Sequence, residues 1–428
     1  MTLLLSLVVV LLVGGALLWL ATVAMATPTV AYRIDCRFDV RSTEFLHALS
    51  SVLPVTIMHG NRIERLDNGA RFYPEMLAAV AAAQRSIALE CYIFDRGSIG
   101  DAFIAAVCER ARAGVRVRLI LDRFGSRRFR DACQLTEAGC HIGWHPLARW
   151  RRAHWLTNST HREILVVDGR VAFTGGAGIS DWWARPVDHR SPWRDTMVRV
   201  EGPVVSSLQA VFAENWLECR GEIVAGDEWF PVLEPRGGMT AFVVRNSPGS
   251  AGCRALFQAL VECASREIRL ATPYFLPDPS FLAALIDRAR RGVSVTILVP
   301  GSRMDHRWVR FASRRLFAPL LEAGVRLFEY QPSMLHQKLM VVDGYWSVVG
   351  TTNIDILSFQ YLDEVNLAVL DEPFAAELQA QHDVDLARSV ELTLPAWRRP
   401  RWEAALADAA WAASGQDWVH HLRRRPTP

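Results

Sequence analysis

The 428-residue chain reads as an α/β protein of two pseudo-symmetric halves, each a mixed sheet flanked by helices, behind an N-terminal transmembrane helix. Three observations carry this expectation. Blocks of sequence recur in the same order in both halves. Within each half, apolar strand-like runs alternate with amphipathic helix-like ones. From Thr2 to Tyr32 no residue is charged. A chain of this length, half of it hydrophobic, exceeds one ordinary core and can fill two.

The N-terminal run LLLSLVVVLLVGGALLWLATVAM is longer than the roughly 20 apolar residues that span a bilayer. Ala24-Met25-Ala26 resembles a signal cleavage site, which is the rival reading. The run outlasts the roughly 7–15 residues of a signal core, however, and no Lys or Arg precedes it. Residues 1–32 are therefore expected to be a single anchor in the inner (cell) membrane. Arg33, Arg37 and Arg41 follow directly, which by the positive-inside rule leaves the catalytic part facing the cytoplasm. The interleaved Asp35, Asp39 and Glu44 count little in that rule.

The first half is expected over residues 42–222. SIALECYIF from Ser86 is a buried strand, IGDAFIAAVCERARAG from Ile99 a helix ending at glycine, and VRVRLILD from Val115 the next strand. The second half, over residues 239–396, repeats the series with IRLATPYF, PSFLAALIDRARRG and VSVTILVP. A helix between two apolar strands implies a βαβ unit and a partly parallel sheet. The stretch from Gly221 to Gly238, with several glycines and two prolines, is the connection. Residues 397–428 form a basic, Trp-containing tail.

The chemistry concentrates in one repeated block. THREILVVDGRVAFTGGAGIS runs from Thr160 to Ser180 and LHQKLMVVDGYWSVVGTTNID from Leu335 to Asp355. His161 aligns with His336, Asp168 with Asp343 and Gly175 with Gly350. His336 and Lys338 are two apart on a predicted strand and share a face. Asp343-Gly344 makes a hairpin turn. Such a pair suits a phosphate: lysine neutralises an oxygen, and histidine attacks phosphorus or protonates a leaving oxygen. Arg162, next to His161, points to the opposite face and cannot take the lysine's place.

With H-x-K-x-x-x-x-D present in two halves, the chain resembles the phospholipase D superfamily. The second copy fits throughout: His336, Lys338, Asp343, then Gly350, Asn353 and Ser358. The first fits in part, with His161, Asp168 and Gly175-Gly176. NGARFYPEMLAAV from Asn68, WRDTMVRVEGPVV from Trp193, TPYFLPD from Thr272 and SMLHQK from Ser333 resemble the bacterial cardiolipin synthase branch. The resemblance spans roughly Val55 to Trp397. It implies two phospholipase D-like halves packed about a pseudo-twofold axis, with His161 and His336 flanking one phosphorus. One histidine then becomes a phosphohistidine while the other protonates the departing alcohol. The resemblance also implies that a later carboxylate orients each histidine, at Asp195 in WRDT and Glu364 in LDEVN. No cofactor and no metal are implied, and no Cys/His cluster has zinc spacing.

The resemblance has gaps. Glu163 stands where the family has lysine, Gly178 and Leu362 where asparagine is usual. An ionised acid there repels a phosphate, unless it is turned away, protonated, or bound to a glycerol hydroxyl. Glu163→Lys is expected to restore the pattern and tighten binding of an anionic donor. Asp168 and Asp343 are equally readable as catalytic residues and as turn residues.

Charged residues make up 22% of the chain and the net charge is +3, too little for a nucleic-acid track. Trp150-Arg151-Arg152, Trp182-Trp183 and Trp397-Arg398-Arg399 mix indoles with cations, as at a bilayer interface. The expected partners are anionic phospholipids, phosphatidylglycerol above all, and the membrane. The expected activity is phosphatidyl transfer giving cardiolipin; a hydrolase using water and a non-catalytic lipid-binding scaffold are the alternatives. Eight cysteines without a C-x-x-C pair read as free buried thiols of a reducing compartment.

Overall fold

The computed structural model describes residues 32–34, 36, 38–145 and 159–394. The expected anchor, up to Ala31, and the basic tail 397–428 lie outside the described residues, as does the Trp150-Arg151-Arg152 segment. Among the described residues no helix is long and apolar enough to cross a membrane.

Seven strands build the first half: β1 (Met58–Asp67), β2 (Ser86–Cys91), β3 (Arg116–Asp122), β4 (His141–His145), β5 (Ile164–Val167), β6 (Val171–Gly175) and β7 (Thr196–Glu201). The second half has β8 (Met239–Asn246), β9 (Glu267–Ala271), β10 (Phe275–Leu276), β11 (Ser294–Pro300), β12 (Arg326–Tyr330), β13 (Leu339–Val342), β14 (Trp346–Gly350), β15 (Ile354–Asp355), β16 (Glu364–Leu370) and β17 (Ser389–Leu392). From an antiparallel seam between β1 and β8, one side runs β1-β7-β6-β5-β2-β3-β4 and the other β8-β16-β14-β13-β9-β11-β12-β17. Position by position these are the same order, with β17 added at one edge. The repeat seen in the sequence is therefore a repeat of topology, and the α/β reading with two halves holds. β2, β3 and β4 are parallel, as are β9, β11 and β12, while the strands nearer the seam are antiparallel. The predicted helices appear as Ser98–Arg112 between β2 and β3 and Pro279–Arg290 between β9 and β11. Each enters through Gly97 or the capping Asp278, whose carboxylate accepts from the Ser280 and Phe281 amides.

Among the described residues three large apolar cores result, with a small fourth cluster around Met304 and Met334. One lies under the helices of the first half, another under those of the second. The third lies between the halves and takes side chains from strands of both, with helices Val205–Arg220 and Glu372–Leu386 packed into it. This shared core keeps the two halves in fixed register, which a site assembled from both requires.

Two expectations are corrected. Helix Thr43–Val52, assigned to the first half by position in sequence, packs on the second: Phe45 meets Trp346 edge-on at 5.6 Å, and Trp346 donates to the Val40 carbonyl. Burying Phe45 and Leu49 stabilises this docking by about 1.5–3 kcal/mol per side chain. The cysteines are not all free thiols either. Cys36 and Cys263 form a disulfide, with Cα atoms 5.4 Å apart, that ties the segment leading from the N-terminus to the second half. Sequence spacing gave no hint of it because the two are 227 residues apart. The other six cysteines are free, and all but Cys133 are buried.

Candidate active site

His161 and His336 do not lie within strands. Each sits on the extended segment just before one, β5 or β13, and there the two halves exchange backbone bonds. The His161 amide donates to the Asp363 carbonyl (2.8 Å), and the Asp363 amide to Ser159 (3.1 Å). The His336 amide donates to the Arg194 carbonyl (2.7 Å), and the Arg194 amide to Met334 (2.8 Å). Two equivalent parallel bridges thus stitch each histidine to the other half. The hairpin strands start later than predicted because these backbone groups serve the partner half.

The residue after each bridging position supplies a carboxylate. Asp195 Oδ2 lies 2.9 Å from His336 Nδ1, and Glu364 Oε1 lies 3.1 Å from His161 Nδ1. A carboxylate only accepts, so Nδ1 of each ring carries the proton and Nε2 is left for chemistry. The carboxylate of the first half orients the histidine of the second, and the reverse. Asp195 is wholly buried and is held by Trp183 Nε1 (2.9 Å) and the Thr196 amide (2.8 Å). Glu364, also wholly buried, accepts from the Thr351 hydroxyl. Gly176 is needed at its place: a Cβ there would stand 2.4 Å from the Asp195 carboxylate.

Electrostatics sets the protonation states. Burial, then the charge of Lys338, holds His336 below its usual value, so its ring is neutral at pH 7. Burial pulls Lys338 down to about 8, against the nearby carboxylates Asp195, Glu364 and Glu163. For Asp195, burial acts upward, but the His336 bond and the His336 and Lys338 charges outweigh it and hold the carboxyl low. Lys338 Nζ donates to the His336 carbonyl (2.8 Å) and lies 2.9 and 3.2 Å from the ring nitrogens. Trp183 and Trp193 flank the His336 ring at 5.4 and 5.1 Å, and Tyr92 meets His161 at 5.2 Å.

Glu163 stands beside this cluster, 5% exposed, accepting from the Tyr92 amide (3.1 Å). Burial raises its carboxyl well above the usual range, against the Tyr92 amide bond and the Lys338 charge, which favours the protonated form and eases repulsion of a phosphate. The other departure packs beside it: a Cβ at Gly178 would meet the Ile93 carbonyl oxygen at 2.7 Å and Glu163 Oε1 at 3.2 Å. Arg162 points away as expected, into the shared core, donating to the Val211 and Asn246 carbonyls and to Glu214.

Asp168 and Asp343 do not join the cluster. Both lie in hairpin turns at the far end of β5 and β13, with φ of 53°. Asp168 accepts from the Gln84, Arg85 and Ser86 amides, and Asp343 from those of Ser265, Arg266 and Glu267. Each ties its turn to the start of β2 or β9, so both are turn residues and the expectation of a catalytic role for them is corrected. Asn353 and Ser358 lie in the loop and short helix after β14, the Asn353 amide donating to Ser358 Oγ (3.3 Å). They brace the loop whose Thr351 holds Glu364 and make no hydrogen bond to either histidine among the described residues.

Sequence reading missed Trp183, Thr351 and Tyr92. The sequence presents Trp182-Trp183 as a bilayer-interface pair, but Trp183 is 1% exposed and its indole donates to Asp195. A tryptophan ten residues before WRDT carries no spacing signal that separates these roles.

A family model described as "Cardiolipin synthase, PLD-like domain" matches residues 76–216 and 257–385. The chain is 32% identical to a probable cardiolipin synthase of Bacillus subtilis over 338 residues, 78% of this chain and 67% of that protein. It is 32% identical to cardiolipin synthase A of Pseudomonas putida over 380 residues, 87% and 78% of the two chains. Among solved structures, phosphatidylserine synthase of Haemophilus influenzae matches with a TM-score of 0.63 at 13% identity, over 88% of this chain and 99% of that one. At that identity the likeness concerns the fold.

Proposed function

The chain belongs to the cardiolipin synthase family of phospholipase D-like proteins, and from that premise we propose that it joins two phosphatidylglycerol molecules into cardiolipin and glycerol through a phosphohistidine. The observation that carries this reading is the crossed pair: two imidazoles from two halves, each held at Nδ1 by the other half's carboxylate. Nε2 of one ring attacks phosphorus, forming the P–N bond, while the other ring protonates the departing glycerol oxygen. That second ring, now neutral, takes the proton from the headgroup hydroxyl of another phosphatidylglycerol. The resulting oxygen attacks phosphorus, the P–N bond breaks, and both rings return to their starting states. Lys338 offsets the phosphate charge throughout.

Incubating the full chain with headgroup-labelled phosphatidylglycerol in detergent micelles is expected to release glycerol and form cardiolipin in equal amounts. Phosphatidic acid as the main product makes the chain a hydrolase; no turnover makes it a scaffold.

We place the protein in the cell membrane through residues 1–32. Orientation is subject to two opposing demands. Arg33, Arg37 and Arg41 direct the catalytic part to the cytoplasm, whereas the Cys36–Cys263 bridge belongs to an oxidising compartment. The bridge governs, because three arginines interleaved with acids give a small bias and a reducing cytosol keeps both sulfurs as thiols. Mass-tagging the thiols of denatured protein, trapped in acid from cells, is expected to count six free cysteines; eight puts the catalytic part back in the cytoplasm.

A further inference from the structure

A cleft of about 830 Å³ opens beside the histidine pair, with Tyr92 from the His161 side and Trp193 from the His336 side in its wall. Its rim is cationic. Arg127 and Arg128 come from the loop after β3, Arg303 from the loop after β11, the counterpart strand in the other half, and Arg307 from the first turn of the helix Arg307–Arg314 that follows it. Arg190 joins them from the loop before β7. All five are exposed. Several arginines elsewhere in the fold pair with carboxylates, as Arg254 does with Asp278 and Arg310 with Glu329. Among the described residues none of these five forms a salt bridge at contact distance, although the charges of Arg128 and Arg127 act on Asp95. Two acids also line the cleft: Asp305, which accepts from Tyr274 (2.6 Å), and Asp95, near Ser180. Five guanidinium groups against two carboxyls leave a positive excess.

The reacting phosphate does not account for that excess, since its one negative charge already faces Lys338. Ligands of α/β sheets settle beyond the carboxyl ends of parallel strands, which is where both loops lie. Guanidinium forks bind phosphate in two-point contact and stay charged at any working pH. We propose that the arginine rim is the subsite for the phosphate of the acceptor lipid, held while its headgroup hydroxyl reaches the phosphohistidine. The inference rests on the phosphatidyl-transfer reading and adds the basis of acceptor choice. Water and free glycerol carry no phosphate and gain nothing from the rim, so it favours a phospholipid alcohol over both.

The test sets two acceptors against each other on one donor. In detergent micelles of fixed phosphatidylglycerol content with labelled free glycerol, the enzyme forms cardiolipin from the lipid acceptor and labelled phosphatidylglycerol from glycerol. Arg127→Gln with Arg128→Gln, and separately Arg303→Gln with Arg307→Gln, are expected to lower the ratio of cardiolipin to glycerol exchange about tenfold or more, the size of a lost charge-assisted contact. The corresponding Lys variants should recover part of the ratio, because they keep charge and lose the fork. Both products falling in step would assign the arginines to the donor or to general adhesion and overturn the subsite, as would an unchanged ratio. A wild-type chain that exchanges glycerol yet makes no cardiolipin rejects the functional reading and the subsite together; loss of proportionality confined to the variants cannot arise that way.

Discussion

His336→Ala is expected to lower kcat by about four orders of magnitude while the protein stays folded, the scale seen when one member of a cooperating catalytic set is removed. Asp195→Asn is expected to cost on the order of 10²–10⁴-fold, although Asp195 lies in the other half. The asparagine can present an N–H to Nδ1, which then carries no proton, and the ring's proton moves to Nε2, the nitrogen needed for phosphorus. The alternative amide orientation gives up the charge that stabilises the imidazolium. Trp183 keeps an acceptor only in that second orientation, so both choices lose something. Lys338, lowered to about 8, should impose an alkaline limb: as pH rises through about 8 the ammonium loses its proton and the phosphate its counter-charge, so kcat/KM falls. Asp168→Asn is the contrast, because it weakens a turn at the far end of β5 and should lower stability more than turnover. Equal kcat in wild type and the Asp195 variant would remove the crossed carboxylate from the mechanism.

Glu163→Lys, which restores the family residue, is expected to damage the protein. The side chain would put a second ammonium into a buried space already influenced by Lys338, at a cost of about 3 kcal/mol or more for an unpaired buried charge. Like charge would also lower Lys338 further and bring its alkaline limb toward neutrality. This reverses the expectation drawn from the motif alone, that the change tightens donor binding. Glu163→Gln keeps the acceptor for the Tyr92 amide and adds no buried charge, and should retain most activity. The two also differ in how stability responds to pH. Folding raises the Glu163 pKa above its usual 4.5, so the folded chain takes up a proton and this group's contribution declines as pH rises beyond 4.5. The Gln variant lacks that decline, and denaturant midpoints across pH 5–8 read the difference directly. A Lys variant with wild-type stability and faster turnover would show that position 163 holds an ionised, solvated side chain.

The duplication, the βαβ units and the two histidines were legible in the sequence because each is local. A repeat needs only matching blocks, a βαβ unit only alternating periods, and a His-x-Lys pair only two residues of spacing. Asp195 and Glu364 were legible through family resemblance, as positions. Which histidine each would hold was not, since Asp195 meets His336 across 141 residues and Glu364 meets His161 across 203. That crossing depends on the seam between β1 and β8 and on the core the halves share. The same holds for Asp168 and Asp343. Their motif position suggested chemistry, but a four-residue strand carries each to the far end of the hairpin, where three backbone amides need an acceptor. Glu163 reads as a repelling charge in the local sequence, whereas burial raises its carboxyl toward the protonated form. Local pattern reveals the parts and the fold of each half, whereas their partners and protonation follow from packing, because desolvation and long-range contact are properties of the two halves together.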